Sequence, residues 1–296
     1  MLGTFTSFEL GQGGLGWPEA LLLGVIVSST DAAALFAMFR GSGPRPNRRI
    51  RSVLELESGT NDPFAVILTT AVLGVLTSGS DGADGVVLDL LFQVSLGVLA
   101  GVVLGWLGAE LTNRLQLGTK GLYPVLAVAI GLVAFGVSDL IGANPFLAVY
   151  LAGMLLGNRI RTQRDLILDA TDAFAWLAQI VMFLALGLLV VPSELLGLAP
   201  VALALAVVLM FIARPVAVFA CLAPFGFGAR GMTYVSWAGL KGAVPIVLAT
   251  FPATFGLGEA RDVFNLVFFI VVVSVLVQGL TLPRAARSLK VADAGA

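Results

Sequence analysis

Long apolar runs separated by short polar segments set the pattern of this chain. A helix needs roughly 17 to 25 apolar residues to cross a hydrocarbon core. On that measure the hydropathy predicts nine spans, at Glu19–Phe39, Ser52–Thr77, Val86–Leu111, Gly121–Ile141, Pro145–Gly157, Asp172–Val191, Leu195–Ala223, Met232–Phe251 and Val263–Leu282. The fifth is short for a full crossing. The expected fold class is an all-α polytopic membrane protein.

Composition agrees with that pattern. Of 296 residues, 58% are hydrophobic and 12% charged, against about 25% charged in soluble domains. That is too little charge to coat a soluble core. The net charge of −1 gives no bulk attraction to nucleic acid. One cysteine, Cys221, excludes an internal disulfide and a cysteine metal cluster. Histidine is absent, so a pH response near neutrality falls to carboxylates or a lysine in unusual surroundings. The 35 glycines fall largely within the spans, where small residues let membrane helices approach closely.

The bases test the span count. Arg40, Arg45, Arg48, Arg49 and Arg51 follow the first span, and the next loop has only Asp81 and Asp84. Arg114 and Lys120 come next, then a bare turn, then Arg159, Arg161 and Arg164. Glu194 stands alone in the following loop, followed by Arg230, the mixed Glu259–Asp262 loop, and a tail with Arg284, Arg287 and Lys290. Bases thus fall in every second loop, as the positive-inside rule requires. Fourteen of the seventeen lie on one side, Arg261 lies on the other, and Arg214 and Lys241 fall within spans. This places the C-terminus in the cytoplasm of a multi-pass plasma-membrane protein.

A charge at bilayer depth costs about 2.5–3.5 kcal/mol on insertion scales, so each needs a partner or a task. Asp31, Glu57, Asp62, Arg214 and Lys241 are so placed, whereas Glu55, Glu110 and Asp139 lie nearer span ends and read as solvated carboxylates. The second span is densest. At 100° per residue Glu57 and Asn61 share one face and Ser58 and Asp62 another. Its two carboxylates point about 140° apart, so one can be pinned by a base while the other exchanges its proton.

Two spans read as interrupted helices. Ser28, Ser29, Thr30 and Asp31 form a polar knot in the first, and such residues bond to backbone in competition with the helix. In the eighth, Gly239, Gly242 and Pro245 surround Lys241, and proline removes a helical donor. These spans run in opposite directions and each precedes one more polar or core span, the pattern of an inverted repeat whose half-helix ends meet near midplane. The seventh span, with Arg214 in FIARPVAVF, precedes the eighth. Its symmetry mate would precede the first, so the repeat predicts further spans upstream of the nine.

The strings SSTDAAALFAMFRG, LELESGTNDPFAVILT, NPFLAVYLAGMLLGNR, FIARPVAVF and WAGLKGAVPIVLATFP resemble bacterial monovalent cation:proton antiporters of the NhaP type, and are most similar to the potassium/proton branch. The resemblance covers nearly the whole chain. It implies an inverted-repeat antiporter fold with two interrupted, crossing helices, a single transmembrane exchanger domain over residues 1–296 that lacks the family's first spans and has no soluble regulatory domain, and a homodimer in lipid. By that resemblance Asp62 alternately binds proton and cation, and Thr30, Asp31 and Ser58 complete the ion shell. Asn61 is similar to the electroneutral members. Glu57 would pair with Arg214, and Lys241, where many relatives carry Arg, would offset the half-helix dipoles. The implied function is exchange of K+ or Na+ for H+, by a protein that is no enzyme and needs no cofactor. The alternatives are a cation channel, though no repeated carbonyl filter loop is evident, and a transport-inactive fragment of such an antiporter.

Overall fold

The computed structural model describes residues 16–31, 34–35, 46–78 and 83–291. Arg40, Arg45 and Asp81 lie outside them, as do the Asp84 side chain and the end of the first predicted span beyond Leu35. The described residues form helices: α1 Trp17–Ile26, α2 Arg48–Ser78, α3 Ala83–Arg114, α4 Leu122–Leu140, α5 Pro145–Arg159, α6 Arg164–Leu188 and α7 Pro192–Val208. A π-turn, Leu209–Ala213, carries α7 into α8, Arg214–Leu222. Then come α9 Ala229–Trp237, α10 Ala243–Leu248, α11 Phe251–Thr254 and α12 Ala260–Ser274. A second π-turn, Val275–Gly279, leads into α13, Leu280–Ser288.

Six continuous helical stretches among the described residues are long and apolar enough to cross a membrane, and Trp17–Ile26 and Ala243–Thr254 are shorter apolar pieces. The short pieces belong to the two spans whose sequences predict interruption. α5, at 15 residues, matches the short fifth span. α6 begins at Arg164, eight residues before the predicted start, because polar residues in its first turns remain helical beyond the apolar run.

The chain divides into two compact units: the described residues of Met1–Ala65 with Leu186–Ala296, and Val66–Ala185. Within the second, α3 and α5 pack closely because small residues face each other. A Cβ on Gly101 would lie 2.6 Å from the Ala148 carbonyl oxygen, and one on Gly105 2.7 Å from the Ala152 Cα, so only glycine permits this backbone approach. Asn144 caps α5 by accepting from the Leu147 amide at 2.9 Å, and Pro145 takes the first helical position, where its missing N–H costs nothing. On α6, Leu177, Ile180, Leu184 and Leu188 are exposed, as expected of a surface solvated by lipid rather than water.

In the first unit an apolar cluster including Leu54, Val218, Tyr234, Leu240 and Leu282 ties the start of α2 to α8, α9 and α13. Ala238 and Leu240 of this cluster lie in the stretch between α9 and α10.

Candidate functional site

Both interrupted spans break where the sequence carries its polar residues. α1 stops at Ile26 and the backbone is irregular through Asp31; α9 stops at Trp237 and helix resumes at Ala243. Pro245 does not itself make the second break. It is the third residue of α10, inside a first turn whose amides have no intrahelical acceptor, so its ring is accommodated. The break lies upstream, over Ala238–Gly242, where two glycines flank Lys241.

The two breaks meet. The Asp31 amide donates to the Leu240 carbonyl at 2.9 Å. The Lys241 ammonium reaches the carbonyls of Ser28 and Ser29 at 3.4 and 3.2 Å, placing a cation on carbonyls left free beyond the C-terminus of α1, where the helix dipole is negative. Asp31 accepts from the Ala34 amide at 2.8 Å. A Cβ on Gly242 would collide with the Asp31 carboxylate, and one on Gly239 with the Arg214 guanidinium. These glycines let two side chains press against unwound backbone.

α2 supplies the other wall. Its two faces work as the 100° spacing predicts. On one, Ser58 donates to the Thr30 carbonyl at 2.8 Å, and Asp62 accepts from the Ser29 hydroxyl at 2.6 Å. On the other, the Asn61 amide donates at 3.3 Å both to the Thr30 hydroxyl and to Glu57. Glu57 is gripped by Arg214 through two parallel bonds, one from each terminal nitrogen, with Nη2 to Oε2 at 2.8 Å. The pair is 21% and 14% exposed, and its two-pronged geometry suits guanidinium and carboxylate. Pro63 lies within α2 and cannot donate to Gly59, so a carbonyl is released one turn before Asp62.

All eight residues singled out from sequence therefore converge on one centre. Three further ones belong to it. Ser29, part of the polar knot, bonds Asp62 directly. Ser274 and Gln278, buried in α12 and the π-turn that follows it, serve the second break. Ser274 accepts from the Lys241 amide at 3.1 Å and donates to Gln278 at 2.6 Å, and Gln278 donates to the Trp237 carbonyl at 3.1 Å. Their signal in the sequence was polar side chains four apart in an apolar run, without a charge to draw notice.

The arrangement offers the Asp62 carboxylate, with Asp31 at the same crossing, among hydroxyls, an amide and loosened backbone carbonyls. Oxygen ligands of this kind suit a hard monovalent cation, and the carboxylate can take a proton instead. A family model described as sodium/hydrogen exchanger, transmembrane, matches residues 1–287. The chain belongs to the sodium/hydrogen exchanger family. Among relatives of this chain, the K+/H+ antiporter NhaP2 of Shewanella oneidensis is 45% identical over 94% of the chain, and the K+/H+ antiporter NhaP of Alkalimonas amylolytica is 46% identical over 94%. The Na+/H+ antiporter NhaS2 of a Synechocystis species is 31% identical over 94%. The chain spans about half the length of these curated relatives, 48% of the first two and 52% of the third. Among solved structures, the sodium proton antiporter MjNhaP1 from Methanocaldococcus jannaschii superposes with a TM-score of 0.80 at 23% identity, covering 92% of this chain and 71% of that one. This chain thus has the NhaP antiporter fold.

Proposed function

We propose that this protein is a secondary antiporter, not an enzyme, that exchanges a monovalent cation, K+ or Na+, for H+ through competition at Asp62. The observation that carries this reading is the position of Asp62: a carboxylate bonded to Ser29 where both helix breaks meet, with the Lys241 ammonium on the adjoining carbonyls. Either ligand neutralises the carboxylate, so the loaded forms carry equal charge and exchange is electroneutral. Asn61 beside it is uncharged, so position 61 adds no titrating group. Thr30, Asp31 and Ser58 supply oxygens for the cation, while Glu57 and Arg214 lock α2 to α8. The names of the relatives that share 45% and 46% of residues favour K+ over Na+.

Residues 1–296 would belong to one transmembrane exchanger domain in the plasma membrane, working as a homodimer, with the C-terminus in the cytoplasm where the positive-inside rule puts it. The test is cation-driven proton flux after a pH jump in vesicles reconstituted with the protein. Asp62→Asn is expected to reduce flux to that of protein-free vesicles. Exchange at the unaltered rate in Asp62→Asn would sink the assignment.

A further inference from the structure

Arg48 and Arg49 open α2, and its first turn contains no acid. Basic residues at a helix N-terminus oppose the dipole, which there favours anions. Arg49 is also held in position: its guanidinium donates to the Phe225 carbonyl at 2.7 Å and lies 4.0 Å from the centre of the Phe227 ring. Beside it is an open slot of about 550 Å³ lined by Arg48, Arg49, Ser52, Val53, Leu56 and Phe227, with no carboxylate among those residues. Arg51 is engaged elsewhere, with Glu55 at 2.9 Å. The slot is two-natured. One end offers two guanidiniums and a hydroxyl, and the other an apolar wall on which Leu56 is 69% exposed. A free anion would leave that wall bare. An anionic head with an acyl chain would cover both parts.

We propose that this slot binds an anionic phospholipid, with its phosphate at Arg48 and Arg49 and an acyl chain along Val53, Leu56 and Phe227. Guanidinium pairs bind phosphate by parallel, charge-assisted bonds, and basic pockets beside membrane helices bind anionic headgroups. The lipid offsets the clustered positive charge at the start of the helix that carries Glu57, Asn61 and Asp62.

The experiment is native mass spectrometry of the whole purified protein with phosphatidylglycerol and phosphatidylcholine of matched chains. Preferential retention of phosphatidylglycerol is expected. Arg48→Gln and Arg49→Gln should each lower its affinity about fivefold, from about 1 kcal/mol per base, and leave phosphatidylcholine unaffected. Arg48 is exposed and takes no part in the Phe225 and Phe227 contacts, so its variant separates lipid loss from misfolding. Equal retention of the two lipids would overturn the site, as would an equal loss in Arg161→Gln, which removes a base from the other unit. Displacement by soluble glycerol phosphate at matched concentration would overturn the lipid in favour of a simple anion.

Discussion

Glu57 and Asp62 are two carboxylates five residues apart whose surroundings give them different work. Glu57 spends both oxygens on Arg214 and one also on Asn61; Asp62 accepts from the Ser29 hydroxyl, a lighter hold. Removing the charge from Glu57 leaves Arg214 largely buried and unmatched. Glu57→Gln is therefore expected to destabilise the protein by about 3 kcal/mol, the lower end for a broken buried pair because the pair is 14–21% exposed. A fall in the thermal midpoint in detergent checks this. Arg214→Lys, with Glu57 unaltered, should lower the midpoint as well, but by less, since an ammonium keeps the charge and lacks the guanidinium fork. Ser29→Ala removes a hydrogen bond to a charged group, which contributes about 1.5–3 kcal/mol to stability, so the midpoint should fall, and the concentration for half-maximal exchange should shift because Asp62 loses the hydroxyl that orients it.

The two breaks differ in how they are supported. The first rests on its own hydroxyls and on α2, and the second borrows Ser274 and Gln278 from the following helix. Gln278→Leu would leave the Trp237 carbonyl without a donor and Ser274 without its acceptor, at a cost of about 1–3 kcal/mol, while transport should fall more than stability because the Ser274 hydroxyl that accepts from the Lys241 amide is no longer held in orientation. Parallel melting and vesicle-exchange assays check both effects. Much of this was legible in the sequence. Ser28–Asp31 and Gly239–Pro245 marked the breaks because polar hydroxyls and glycines stand out in apolar runs, and helical spacing assigned the two faces of α2. What was less legible depends on the third dimension. The π-turns at Leu209–Ala213 and Val275–Gly279 have no local composition to announce them, and they become intelligible only once Arg214 must reach Glu57 and Gln278 must reach Trp237. Pro245 looked like the breaker, but its place in a first helical turn makes it harmless there.

At the scale of the molecule, the proposed orientation would run α8 toward the cytoplasm, with Cys221 near that end. Cys221 is exposed and lines a cleft of about 740 Å³ that also includes Arg49, Glu57 and Asn61. It is the sole cysteine, so the unaltered protein carries its own probe. A membrane-impermeant maleimide is expected to label Cys221 in inverted vesicles and not from the outside of intact cells. Labelling from outside would reverse the topology. The central claim, one site shared by two ligands, is tested most directly by the half-maximal cation concentration measured at a series of pH values on the side of cation entry. Protons compete with the cation for Asp62, so that concentration should climb as pH falls, approaching tenfold per pH unit once Asp62 is mostly protonated, while the maximal rate at saturating cation holds. A half-maximal concentration that stays constant across pH, with the maximal rate alone changing, would contradict a shared site.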